Sequence, residues 1–258
     1  MILNYKIFNP EGKKTLVILH GLLGSLDNWQ AFARHASAKY RVITVDQRNH
    51  GKSFHSDVFN YSAMVEDLNN LFIELKIEKA HVLGHSMGGK TVMNFALAHP
   101  TKVLSMISAD MAPREYSPHH QTIFNALQAL DLSTITSRNE ADEILSKQID
   151  NLGVRLFLLK NLDRIEDGFK WKMNLDVIVA NYEEVIKEVE YSKPFLGNAL
   201  FLGGENSDYI QSSDAMSIFE AFPNADIDYV SNAGHWLHAE NPVEFSEKVL
   251  EWLGELNL

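Results

Sequence analysis

The sequence predicts an α/β fold: a mostly parallel central sheet flanked by helices, with a helical cap inserted in the second half. Three observations carry this. Short apolar runs alternate with helical patterns from the N-terminus, the runs lack the polar alternation of a half-exposed sheet, and the rhythm stops after Pro113 and resumes near residue 198. Strands covered on both faces read as continuous Val, Ile and Leu, and a repeating strand–helix order generates parallel crossovers.

In chain order, "TLVILH" (15–20), "YRVITVD" (40–46), "AHVLGH" (80–85) and "VLSMISAD" (103–110) are the expected buried strands. Helical spacing fills 61–75 and 89–99 between them. From about 117 to 193 the pattern is mostly helical, with apolar stripes such as "IFNALQAL" and "VRLFLLKNL" and one possible short strand at "FKWKM". Strand signals return at 198–204 and 225–232. A closing helix follows Asn241-Pro242, with proline in the first turn where its missing N–H costs nothing. The expected organisation is a core of 1–115 and 194–258 with a cap of 116–193. No repeat or low-complexity linker separates them, so the cap is expected to be integral to one folding unit.

Composition removes several function classes. The chain has 258 residues, 45% of them hydrophobic, enough for one sizeable core. Lys+Arg number 23 against 34 Asp+Glu, a formal charge of −11 without a basic run, which disfavours nucleic acid and anionic lipid as partners. The absence of cysteine excludes disulfides, thiolate metal sites and a Cys nucleophile. The N-terminus lacks a secretory pattern and the longest apolar run is too short to insert in a membrane, so the cytoplasm is the expected compartment.

"GHSMGGKT" (84–91) has two incompatible readings. As G-x-S-x-G it is a nucleophile elbow presenting Ser86; as G-x-x-x-x-G-K-T it is a phosphate loop using Lys90 and Thr91. The rest of the chain favours the elbow. A serine nucleophile needs a base, an orienting acid and an oxyanion hole. His235 in "SNAGHW" follows the last strand, and Asp110 ends the strand after the elbow helix. The backbone N–H groups of Leu22, in "HGLLGS", and Met87 can form the hole. Gly84 and Gly88 flank the serine where a strained turn leaves no room for a Cβ. The phosphate-loop reading leaves the His-Gly turn at 20–21, the Gly-His turn at 234–235 and the cap without roles.

Other candidates weigh less. His81 and His85 would lie about 13 Å apart on a strand, at about 3.3 Å per residue, so a metal site there is not expected. Trp171, Met173 and Trp236, together with Trp29, are candidates to line an acyl pocket; ordinary core packing is the competing reading for each. "DQRNHGKS" (46–53) reads as a hydrogen-bonded loop supporting the catalytic face.

"HGLLGSLDNW", "VDQRNHGKS", "GHSMGGK", "SADMAP", "GGENSDY" and "AGHWLHAENP" together resemble the α/β-hydrolase superfamily, particularly the small YbfF-type bacterial esterases and proteins like abhydrolase domain-containing protein 11. The resemblance spans essentially the whole chain and is weakest in the cap. It implies an α/β-hydrolase fold and hydrolysis of carboxylic ester or thioester bonds, acyl-CoA among the candidate substrates. Ser86, Asp110 and His235 would form the triad, with a small-molecule substrate and no metal or organic cofactor. Most superfamily members carry the acid in a G-x-x-D pattern after the penultimate strand, where this chain has Ser207. Members of the resembling group instead have an Asp 24 residues beyond the nucleophile, as Asp110 is beyond Ser86; Asp208 and Glu205 are the competing carboxylates. A serine elbow argues against the Asp-dependent dehalogenases and epoxide hydrolases of this fold. It leaves lyases, C–C bond hydrolases and ligand-binding proteins with a hydrolase-like pocket open, and the oligomeric state is not legible.

Overall fold

The computed structural model describes residues 1–166 and 168–256. Its strands are β1 (Tyr5–Phe8), β2 (Thr15–Leu19), β3 (Arg41–Val45), β4 (Ala80–His85), β5 (Val103–Ala109), β6 (Leu162–Ile165), β7 (Gly168–Trp171), β8 (Asn198–Gly204) and β9 (Ala225–Val230). Seven of them form one sheet in the order β1-β3-β2-β4-β5-β8-β9, antiparallel only where β1 meets β3. β6 and β7 form a separate antiparallel hairpin.

Helices α1 (Gln30–Ala36), α2 (Tyr61–Glu74) and α3 (Met87–Ala98) connect the first strands. Between β5 and β8 the chain forms α4 (Gln121–Gln128), α5 (Arg138–Leu145), α6 (Leu152–Leu159), the β6–β7 hairpin, α7 (Leu175–Ala180) and α8 (Tyr182–Ile186). Helices α9 (Ala215–Ala221), α10 (Leu237–Glu240) and α11 (Pro242–Glu255) complete the fold.

The period of two along each strand sorts the core into two layers. Leu16 and Ile18 of β2 pack with Phe32 of α1 and with Phe245 and Leu253 of α11. Val17 and Leu19 face the opposite side, toward Leu68 and Phe72 of α2 and Val92 and Phe95 of α3. α2 begins where the Asn60 side chain accepts the Ala63 N–H, and it buries Met64, Leu68, Leu71 and Phe72 at helical spacing. Phe124, Leu158 and Met173 of the insertion belong to the same continuous cluster as Val17 and Val92, so the insertion and the sheet share one core.

Local differences from the sequence reading have simple causes. β1 is an edge strand with exposed or half-buried residues, and so carries no apolar run. The short strand expected at 169–173 falls at Gly168–Trp171, and its partner Leu162–Ile165 is half polar and carries no strand pattern. From β2 the chain first adds β3 on one side, then crosses to β4 on the other. That reversal opens a crevice at the carboxyl ends of β2 and β4, where the turns after both strands converge.

Candidate active site

Ser86 sits between β4 and α3 with φ 53° and ψ −120°, a conformation strained for a residue with a Cβ. The surrounding glycines make it possible. A Cβ on Gly84 would come within 2.0 Å of the Gly88 carbonyl oxygen, and one on Gly88 within 2.6 Å of the His20 carbonyl oxygen. The Ser86 N–H donates to the Ala109 carbonyl at 3.0 Å, tying the turn to β5. Met87 opens α3, so its N–H belongs to the first turn, where backbone donors have no helical acceptor and the helix dipole is positive.

The structure brings Ser86, His235 and Asp110 together. His235 Nε2 lies 3.0 Å from Ser86 Oγ, and its Nδ1 lies 2.7 Å from Asp110 Oδ2. Asp110, with φ 51° at the end of β5, is fully buried. Its Oδ1 accepts the Gly204 N–H at 3.1 Å, and its Oδ2 also accepts the Ser207 hydroxyl at 2.5 Å. The competing carboxylates are engaged elsewhere or face water. Glu205 accepts the Asn232 N–H at 2.8 Å, and Asp208 is exposed.

Burial pushes the His235 imidazole well below its ordinary pKa, with His119 adding to the effect, so the resting ring is neutral. Burial pushes the Asp110 carboxyl up, while the hydrogen bonds from Ser207 and Gly204 pull against it. The Tyr209 ring stacks on His235 with centroids 3.7 Å apart and 18° between planes. His85 Nε2–H donates to the His235 carbonyl at 2.7 Å, holding the loop from below.

The turn after β2 passes close to the serine: a Cβ on Gly21 would meet Ser86 Cβ at 3.1 Å. That places Leu22 at the site, where it lines the cleft with Ser86. The turn is anchored by the 46–53 loop, as the sequence reading expects of it, and by groups outside that loop. His50 Nε2 accepts the Leu23 N–H at 3.1 Å, with the opposite ring nitrogen donating to the Arg48 carbonyl. Asn161, from the insertion, donates to the Leu23 carbonyl at 2.6 Å. His20 Nε2 accepts the Gln47 N–H at 3.0 Å, and Gln47 Nε2 returns a bond to the His20 carbonyl. No local pattern points to Asn161, whose role depends on a contact 138 residues away in sequence.

The cleft over Ser86 is lined by Leu22, Leu23, His85, His235 and Trp236 from the sheet side, and by His120, Ile123, Val154, Phe157 and Leu158 from the insertion. About 30 Å³ of it is open, room for about two water molecules. Trp236 lines this cleft. Trp171 and Met173, the other pocket candidates, line a separate groove with Leu127, Leu130 and Leu132, where the β6–β7 hairpin turns them toward α4. Trp29 is buried on the far layer, stacked on His238 at 4.4 Å.

Lys90 and Thr91 point into the protein. Lys90, wholly buried, donates to the Ile186 carbonyl at 3.0 Å and also to the Lys187 carbonyl, with the Tyr116 ring 4.9 Å away. Desolvation pushes its pKa down to about 7. The Thr91 hydroxyl bonds Gln47 Oε1 at 2.9 Å and the Met87 carbonyl at 3.0 Å. Both side chains are thus committed to internal packing, and this disfavours the phosphate-loop reading. Among the described residues no group of three or more His, Cys, Asp or Glu is placed to hold a metal ion, and no helix is long and apolar enough to cross a membrane.

Residues 14–242 match the family model described as alpha/beta hydrolase fold. The chain is 38% identical over 262 residues to the sn-1-specific diacylglycerol lipase ABHD11 of Danio rerio, covering 97% of this chain and 82% of that one. It is 34% identical over 251 residues to the esterase YbfF of Escherichia coli (strain K12), covering 96% of each. The solved structure of a marine microorganism esterase superposes with a TM-score of 0.95 at 42% identity, covering 97% of this chain and 99% of that one. With motif, sheet order and these relatives in agreement, the chain belongs to the alpha/beta hydrolase fold family, among its esterases and lipases of the ABHD11 and YbfF type.

Proposed function

We propose that the protein is a serine hydrolase of carboxylic esters, with Ser86 as nucleophile, His235 as general base and then acid, and Asp110 as the orienting acid. The observation that carries this reading is the unbroken chain Ser86 Oγ–His235 Nε2–His235 Nδ1–Asp110 Oδ2, with spacings of 3.0 and 2.7 Å. Relatives named as esterases and a diacylglycerol lipase support it.

In the first half-reaction the Ser86 oxygen attacks the ester carbonyl as its proton passes to His235 Nε2. Asp110 accepts the Nδ1–H throughout, which keeps Nε2 free to take the proton. The developing oxyanion is held by the N–H groups of Leu22 and Met87, aided by the positive end of α3. Protonated His235 hands its proton to the departing alkoxide, giving an alcohol and an acyl-serine. Water then attacks the acyl carbon, loses its proton to His235, and releases the carboxylic acid and free Ser86.

The cleft wall determines what is cleaved. Leu22, Leu23, Ile123, Val154, Phe157, Leu158 and Trp236 make it apolar, and among the described residues no Lys or Arg lines it, which favours neutral esters with an apolar acyl group. Thioesters satisfy the same chemistry, but an acyl-CoA would have to place its phosphates outside the cleft. Arg114, one cation that could meet them, is already paired with Asp214 at 2.9 Å and stacked on Tyr116 at 4.0 Å. Since about 30 Å³ is open, chains beyond a short acyl group require α4 and α6, in the proposed cap of 116–193, to move away from Ser86.

The test is intact mass and peptide mapping after exposure to a fluorophosphonate. A single adduct on Ser86, absent in His235→Ala, is expected; a wild-type protein that stays unmodified while hydrolysing no ester overturns the reading.

A further inference from the structure

We infer that Asn161 is a positioning residue for the oxyanion hole: its side-chain amide holds Leu23 in the strained turn that presents the Leu22 N–H beside Ser86. The inference rests on the functional reading above and deepens it.

The turn after β2 is closed by the Gly24 N–H, which donates to the Gly21 carbonyl at 3.0 Å and leaves Leu22 and Leu23 as its two central residues. Among the described residues no acceptor takes the Leu22 N–H, so this donor stays available to a substrate oxygen. Leu23 has φ 59°, in the left-handed region. A turn with positive φ at its second central residue ordinarily takes glycine or asparagine there, because a larger side chain crowds the neighbouring carbonyl. Leucine keeps that conformation only where its surroundings over-determine it.

Two hydrogen bonds do so, one on each side of the Leu23 Cα. His50 Nε2, from the loop after β3, accepts the Leu23 N–H at 3.1 Å. Asn161 Nδ2 donates to the Leu23 carbonyl at 2.6 Å. His50 belongs to the core: it is fully buried, and its other ring nitrogen is spent on the Arg48 carbonyl. Asn161 belongs to the insertion, and among the described residues it is the one donor to that buried carbonyl. Removing it leaves the carbonyl unsatisfied and the turn free to relax to negative φ, which re-aims the Leu22 N–H.

Asn161 is itself fixed to the element that walls the cleft. Its N–H donates to the Leu158 carbonyl at 3.0 Å, at the end of α6, and its carbonyl accepts the Lys172 N–H at 2.8 Å, just beyond β7. The side chain therefore moves as α6 moves, and α6 supplies Val154, Phe157 and Leu158 to the cleft over Ser86. With about 30 Å³ open, an acyl chain enters only when α6 swings away. That motion withdraws Asn161 from Leu23, and closure over the bound substrate restores it. The hole is thus complete only around a substrate already enclosed, a form of induced fit.

The experiment is steady-state kinetics on p-nitrophenyl butyrate for wild type, Asn161→Leu, Asn161→Ser, Leu23→Gly and the double variant Leu23→Gly/Asn161→Leu, with inhibition by an alkyl trifluoromethyl ketone measured on each. Removing an oxyanion donor outright costs about 10²–10³ in kcat, and a donor present but no longer held is expected to cost about tenfold or more. Asn161→Leu is therefore expected to lose that factor in kcat with KM within about twofold of wild type. The ketone, whose tetrahedral adduct on Ser86 puts an oxyanion in the hole, weakens in parallel. Asn161→Ser, too short to reach Leu23, gives the same loss and serves if the leucine variant does not fold. Glycine adopts positive φ without strain, so in the Leu23→Gly background the loss from Asn161→Leu is expected to shrink to about twofold. A merely structural Asn161 would cost the same in both backgrounds. Equal losses, or an Asn161 variant with wild-type kcat, overturn the inference. Ser86→Ala separates the two levels. If it abolishes turnover while Asn161→Leu is normal, only the role of Asn161 fails; if Ser86→Ala is fully active, the reading beneath it fails.

Discussion

Asp110→Asn is the most demanding perturbation of the proposed mechanism because it preserves shape and removes only charge and an acceptor. The Asp110 oxygens meet three donors, the Gly204 N–H at 3.1 Å, the Ser207 hydroxyl at 2.5 Å and His235 Nδ1–H at 2.7 Å. Asparagine can satisfy that set in neither orientation. With its NH2 toward His235, two donors face each other, so the imidazole must adopt the other tautomer. Nε2 then carries a proton and cannot accept one from Ser86. With its NH2 turned away, it meets the Gly204 N–H in a buried place, at a cost of about 1–3 kcal/mol for an unsatisfied group, and the imidazolium formed during attack has lost its counter-charge. The first orientation removes base catalysis, and the second weakens it by leaving the imidazolium without a counter-charge. The serine-protease template gives about 10⁴-fold for this change, equivalent to about 5 kcal/mol of transition-state stabilisation. Steady-state kcat/KM on p-nitrophenyl butyrate, with Asp208→Asn alongside, measures it. Asp208 is exposed and makes no contact with the His235 ring among the bonds described, so Asp208→Asn is expected to stay within about twofold of wild type. A large loss in Asp208→Asn with near-normal Asp110→Asn would refute the assignment.

Two further outcomes are expected. Because burial pushes Lys90 from 10.5 to about 7, the unfolded chain binds more protons than the folded one between those values, and stability rises with pH across that window by up to about 1.4 kcal/mol per unit. Urea unfolding of wild type and Lys90→Met from pH 6 to 10 should show this rise in wild type alone; parallel curves would show that Lys90 is not desolvated. Phe157→Ala opens the cleft wall facing Trp236, whose ring centroid is 6.0 Å away. Across p-nitrophenyl esters from acetate to palmitate, its efficiency on medium chains relative to acetate is expected to rise by about tenfold, the scale of one or two methylenes in an apolar pocket. An unchanged chain-length profile would place acyl binding elsewhere.

The sequence alone determined the sheet and the elbow. β2, β4, β5 and β8 are almost wholly buried, and burial on both faces forces a continuous apolar run that can be read without coordinates. The glycines at 84 and 88 were equally legible, because a strained turn with backbone 2.0 and 2.6 Å from any added Cβ admits no other residue. Ser86 and His235 stood out for the same reason: each lies in a glycine-marked turn at a strand end.

Tertiary structure decided what depends on distance through space. Asp110, Asp208 and Glu205 are alike in sequence, and only the left-handed turn at the end of β5 brings the first to 2.7 Å from His235. Trp171 and Met173 look like pocket residues until the β6–β7 hairpin directs them to another groove. Lys90, which reads as a phosphate ligand, proves to be a buried link from α3 to the end of α8. Asn161 carries no local signature, and Ser207 stands out only as the residue at the usual acid position, because a hydrogen bond to a loop 138 residues away or an acid 97 residues away is a property of packing. Periodicity records which face of an element is buried; it holds no information about which polar groups meet once the faces have closed.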